Sequence, residues 1–188
     1  MILKIRQAGE PVLRQKARPL SAEEIRDRST QELIESMRET MQDAPGVGLA
    51  APQVGIPVQL VVVEDQAQFL QKLSAEELAE RERSAVAFHV LINPTIIVSG
   101  SEAVEFYEGC LSVAGFTGTV PRAREVRVKC LNERAEPVVI DAKGWYARIL
   151  QHEIDHLDGT LYIDRMNPRS FSTIDNHARH VKTRPSNA

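Results

Sequence analysis

The stretch "ILQHEIDHLDG" at residues 149–159 constrains this chain more than any other. It contains His-Glu-x-x-His. On a helix, residues four apart lie on one face, a turn above one another, so His152 and His156 can grip a single metal ion. Glu153 then stands beside a ligand, where its carboxylate reaches a water at the metal. The spacing therefore asks for a helix, and the flanking signals agree: Gly144 opens one over about residues 144–158 and Gly159 closes it. The pentad by itself also occurs in helices whose histidines are plain core or surface residues, so the rest of the chain decides its meaning.

A catalytic metal usually takes a third protein ligand. No glutamate follows Glu153, which removes the peptidase arrangement with a downstream Glu. The extension to His-x-x-Gly-x-x-His fails as well, because Gly159 is in place but the last slot holds Tyr162. Downstream, Asp164, Asp175, His177 and His180 remain, in a polar stretch without strong structural signals. Upstream, Cys110 in "YEGCLSVAGF" is the better candidate, since a thiolate suits zinc or ferrous iron. Cys130, inside the alternating "VRVKCLN", reads as a small strand side chain. A further cluster, "GVGLAAPQVG" at 46–55, has Gly46, Gly48 and Gly55 to let backbone approach a ligand, and Gln53 to offer an amide donor. A tight turn between helix and strand explains the same residues. A phosphate loop does not, because its lysine and hydroxyl residue are missing.

The rest of the chain reads as one domain of α+β type. Ser21 with Glu24 forms a capping box for a helix that runs in pieces to about Asp43, with Leu33, Ile34, Met37 and Met41 on one face and Pro45-Gly46 after it. Val58 to Val63 is a short buried strand. Residues 65–85 are polar and charge-dense, a solvated helix or surface insertion with a second cap at Ser74 and Glu77. Val90 to Val98 reads as a strand broken at Asn93-Pro94. Glu125 to Leu131 and Pro137 to Asp141 flank a polar turn and predict a hairpin. Strands first and then a helix favour α+β over a βαβ wind. The 188 residues divide into a domain over 1–168 and a basic tail over 169–188; Arg165, Arg169, Arg179, Lys182 and Arg184 crowd the chain after Asp164.

Three separated segments, "GVGLAAPQVG", "EGCLS" and "HEIDH", stand in an order that resembles the peptide deformylase family. "EPVLR" near the start, "INP" at 92–94 and "VPRAREV" at 120–126 extend the resemblance over nearly the whole chain. "CLSVAGF" and "GWYARILQHE" are closer to the branch that includes the mitochondrial enzymes. The resemblance implies antiparallel β-sheets packed around a central helix that carries the His-Glu-x-x-His motif. It implies Cys110, His152 and His156 as metal ligands and Glu153 as general base and acid. Gln53 and the backbone N–H of Leu111 would hold a developing oxyanion, and Gly48 would offer main-chain hydrogen bonds to the substrate. Val47, Phe106, Glu108, Gly109, Trp145 and Ile149 would surround a methionine side chain. Trp145 and Ile149, seven and three residues before His152, also fit the ligand face of the helix. Thr117 departs from the family pattern, which commonly has an arginine there.

The function so implied is hydrolysis of the N-formyl group from the starting methionine of new polypeptides, with release of formate. The cofactor would be one divalent ion, natively ferrous iron, with zinc, nickel or cobalt able to substitute. The partners would be N-formylmethionyl nascent chains, and the basic tail leaves room for a contact with the ribosome. The rival functions are a zinc endopeptidase and a non-catalytic, metal-stabilised module that binds nascent chains. A formal net charge of -3 gives no case for DNA or a membrane surface. No run approaches the roughly 20 apolar residues of a membrane span. "MILKIRQAGEPVLRQ" has no long apolar stretch and two cysteines make no disulfide framework, so a cytoplasmic protein is expected, or the mature form of an organellar one.

Overall fold

The structure, a computed structural model, describes residues 1–180. After a 3-10 turn at Pro11–Arg14 come two α-helices, α1 (Ala22–Arg26) and α2 (Arg28–Asp43). Ser21 and Glu24 close the capping box at the start of α1 as the sequence predicts. The strands β1 (Gly48–Ala50) and β2 (Leu60–Asp65) follow, then the short helices α3 (Ala67–Leu70) and α4 (Ala75–Glu80). Next come three antiparallel strands, β3 (Val86–Cys110), β4 (Val113–Leu131) and β5 (Pro137–Lys143). The helix α5 (Gly144–Leu157) carries His152, Glu153 and His156, and the chain continues into β6 (Ser172–Thr173) and α6 (Ile174–His180). The sheet order is β1-β2-β3-β4-β5, with β6 paired to β4. No helix among the described residues is long and apolar enough to cross a membrane.

The apolar run "LVVVED" works because both faces of β2 are covered. Leu60 and Val62 face the core built on α2, with Ile34, Met37 and Met41. Val61 and Val63 face the core built on α5, with Ala147, Leu150 and Ile154. A strand buried on both sides reads as continuous apolar sequence rather than as alternation. Val126, Val128 and Cys130, alternate residues of β4, complete the α5 core. The sheet thus lies between the two long helices, and α5 is central. Cys130 is enclosed there, and burial pushes its thiol up to about 11.

Two expectations change. The break at Asn93-Pro94 does not end the strand; β3 runs through it with a shift of register. Asn93 takes the left-handed conformation (φ 51°), and its side chain bonds both the N–H and the C=O of Leu20, at 2.9 and 2.7 Å. The irregularity therefore ties the N-terminal segment to the sheet. The glycine-rich segment at 46–55 is more than a turn, because it contains the edge strand β1.

Candidate active site

α5 presents His152, Glu153 and His156 toward the turn that joins β3 to β4. Cys110 ends β3 at that turn, and a register shift between Glu108 and Cys110 re-aims the strand end there. One ligand atom from each of Cys110, His152 and His156 lies within 4.8 Å of the others. Cys110 Sγ is 3.3 Å from His156 Nε2. Metal–sulfur and metal–nitrogen bonds of ordinary length on a tetrahedral ion place those atoms about 3.5 Å apart, so the cluster fits a single ion. His152 Nδ1 bonds the Glu108 carboxylate at 2.9 Å, which leaves Nε2 to face the ion. The downstream candidates Asp164, Asp175, His177 and His180 do not join this cluster.

Glu108 is the hub of a buried network. Arg122 donates two hydrogen bonds to its carboxylate, both 3.0 Å, and Arg148 a third at 2.7 Å. Arg122 also pairs with Asp155, which Arg165 holds through two bonds of 2.7 and 2.8 Å. Burial pushes the Glu108 carboxyl up, but His152 and Arg122 outweigh it and hold the group ionised, well below the usual carboxylate range. An ionised acceptor fixes both the tautomer and the ring plane of His152. The sequence places Glu108 only in the substrate pocket. It does border the cleft, but its hydrogen bonds make it a positioning residue for His152, a member of the candidate metal cluster.

Gln53 is held as firmly. Its Oε1 accepts from Ala50 N–H at 2.9 Å, and its amide nitrogen donates to Ser112 Oγ at 3.2 Å and meets Cys110 Sγ at 3.5 Å. The donor end therefore points at the cluster. Glu153 is buried, and its Oε2 has no partner. Burial pushes its carboxyl up to about 7. A Cβ on Gly48 would stand 2.4 Å from Glu153 Oε1, so only glycine lets β1 pass this carboxylate so closely.

A cleft of about 450 Å³ opens over these groups. Val47, Gly48 and Gln53 form one side, residues 108–111 with Leu111 the floor, and Trp145, Ile149, His152 and Glu153 the other. Phe106 is the exception among the expected pocket residues. It packs edge-on to Trp145, ring centroids 6.3 Å apart, and borders a separate cavity of about 280 Å³. Trp145 itself is braced from behind by the end of the charged insertion. Its backbone N–H donates to Arg81 O at 2.8 Å, and the Arg81 and Arg83 guanidinium carbons lie 4.9 and 5.1 Å from the ring centroid. Thr117 is buried, and its hydroxyl donates to Glu108 O at 2.8 Å.

Sequence reasoning missed Ser112, Arg122, Arg148 and Asp155. One signal was available: Arg148 is four residues before His152, so a charge shares the ligand face and needs a buried counter-ion.

A family model described as polypeptide deformylase matches residues 2–172. The chain belongs to the polypeptide deformylase family. Among deformylase relatives, "Peptide deformylase 1A, chloroplastic" of Solanum lycopersicum is 45% identical over 170 residues, 90% of this chain and 61% of that protein. "Peptide deformylase, mitochondrial" of Homo sapiens is 39% identical over 168 residues, 89% of this chain and 69% of that one. The chain thus spans about three fifths of the length of the tomato deformylase. A class I type b peptide deformylase from Acinetobacter baumannii, solved with Met-Ala-Ser bound, superimposes with a TM-score of 0.78 at 34% identity, over 88% of this chain and 99% of that one. The α+β architecture described above is that of this deformylase fold.

Proposed function

We propose that the chain is a metal-dependent peptide deformylase, which hydrolyses the N-formyl group of N-formylmethionyl polypeptides and releases formate. The observation that carries this reading is the convergence of a Cys-His-His cluster and a buried, unpartnered Glu153 oxygen on one cleft. Bound by Cys110, His152 and His156, a divalent ion supplies Lewis acidity and lowers the pKa of water at the site.

The chain's own groups do the rest. Glu153 takes the proton of the attacking water and later passes it to the leaving amine. Gln53 Nε2 and the Leu111 N–H donate to the oxygen on which negative charge develops. The methionine side chain lies against Val47, Gly109, Trp145 and Ile149. β1 ends the sheet, so its outer edge at Gly48 is free to hydrogen-bond an extended substrate chain. We assign catalysis to residues 1–168 on this reading.

We infer ferrous iron as the native ion, because a mixed imidazole–thiolate set accepts iron, zinc, nickel and cobalt, and iron takes an extra ligand more readily than four-coordinate zinc. We place the activity in the cytoplasm or in the interior of an organelle. The basic tail supports a further contact with ribosomal RNA. Arg169 and Arg179 belong to it; Lys182 and Arg184 lie outside the described residues.

Apo-protein reconstituted anaerobically with each ion should release formate from formyl-Met-Ala-Ser and leave casein intact. Initial turnover should be highest with iron and should decay in air as the thiolate oxidises. A fully metallated protein with no turnover overturns the deformylase reading. Casein cleavage replaces it with the endopeptidase. A zinc form as fast as iron overturns only the choice of ion.

A further inference from the structure

The cleft has a lip that none of the groups above explains. After α5 the chain returns across the β3–β4 ribbon. Asn167 N–H bonds Thr119 O at 2.9 Å, and Thr119 N–H bonds Ser170 Oγ at 2.7 Å. β6 then pairs with β4, Thr173 opposite Phe116 and Ser172 opposite Thr117. Phe171 stacks on Phe116 with ring centroids 5.0 Å apart and planes 9° from parallel. His177 of α6 lies against Tyr107 with centroids 4.0 Å apart. Ile174, the first residue of α6, borders the cleft together with Phe116 and Tyr107.

Phe116, Phe171 and Ile174 are exposed by 38%, 44% and 52%. Three large apolar side chains beside one another in water are unfavourable unless something covers them, and a patch continuous with a binding cleft is covered by what the cleft binds. The sequence makes the point in miniature: in "RSFSTIDNH" the only large apolar residues are Phe171 and Ile174, and both come to this lip. None of the three carries a charge, so the lip selects by apolarity rather than by ion pairing.

We propose that Ile174, with Phe171 and Phe116, is a specificity determinant that receives an apolar side chain from one of the two residues following the formylated methionine. The inference rests on the deformylase reading. An extended chain advances about 3.3 Å per residue, with alternate side chains on opposite faces. A substrate whose methionine lies against Trp145 and Ile149 therefore carries its next side chains along the cleft toward this lip.

The test compares formyl-Met-Leu-Ser, formyl-Met-Ser-Leu, formyl-Met-Ser-Glu and formyl-Met-Glu-Ser with formyl-Met-Ser-Ser. The metallated protein should favour one of the leucine peptides over formyl-Met-Ser-Ser by roughly tenfold in kcat/KM, the usual size of such a contact. Ile174→Ser should reduce that ratio to below about twofold, and Ile174→Lys should turn the preference toward glutamate at the same position. Metal content and thermal unfolding, measured on each variant, identify any that is misfolded. Phe171→Ala, which leaves Ile174 in place, then serves as the second variant and should lower the ratio partway. Turnover of formyl-Met-Ser-Ser with no leucine preference overturns the lip alone, as does a preference that survives in all three variants. No turnover of any formyl peptide overturns the deformylase reading and the lip together.

Discussion

The two walls of the cleft are built on opposite principles. The inner wall, on α5 and the parts of β3 and β4 beside it, is made of buried charge: Glu108, Arg122, Arg148 and Asp155 satisfy one another and hold His152 in a single orientation. The outer wall is made of exposed apolar side chains: Phe116 of β4, Phe171 just before the two-residue strand β6, and Ile174, which opens α6. Chemistry needs atoms fixed within tenths of an ångström, and a closed network of ion pairs gives that at the cost of desolvation. Recognition of varied chains needs a surface that many side chains can cover, and apolar contact is not directional.

If that contrast is right, damage to the inner wall is severe and damage to the outer wall is graded. The largest effect should come from Cys110→Ala, which loses both metal and activity, whereas Cys130→Ala keeps both. Metal analysis beside formate release checks this, and full occupancy in Cys110→Ala would break the ligand set. Next, Glu153→Ala should keep the metal and lose about 10²–10⁴-fold in turnover. A variant within threefold of the parent removes Glu153 from the reaction.

Glu108→Gln should follow. The variant keeps the shape but removes the charge that Arg122 and Arg148 face. Metal affinity should fall about 10–100-fold, and stability by about 3–5 kcal/mol in denaturant titration. Unchanged values for both would mean the network only fills space. The smallest effect should come from Phe171→Ala, at about 1 kcal/mol and a fall in Tm of about 2–4 °C. A collapse of the fold in that variant would erase the contrast between the walls.

The same contrast explains what could be read from sequence. Local signals survived intact. Both capping boxes are present at Ser21 and Ser74. α5 begins at Gly144, and the hairpin of β4 with β5 pairs Leu131 with Pro137. The proximity of Cys110, His152 and His156 was legible in part because two of them are one helical turn apart. The inner network was not. Arg122 and Arg148 find Glu108 across 14 and 40 residues of chain, and a charged residue in a sequence looks solvated until its partner is known. β1 was missed because three residues show no period. The outer wall was missed because β6 and α6 are short and polar, and only Phe171 and Ile174 mark them.

The enclosure of Cys130 has a practical consequence. The chain has two cysteines and neither is in a disulfide. Cys130, 6% exposed and with its thiol pushed up to about 11, offers almost no thiolate to a reagent at neutral pH. Cys110 is at the cleft, and under the proposed ligand set it is engaged whenever an ion is bound. A chromogenic thiol reagent added to the native protein therefore reads the fraction of molecules without metal. Chelation should raise the signal to one equivalent per chain and unfolding should raise it to two. A single absorbance measurement then gauges how much of a preparation is loaded, before any substrate is added.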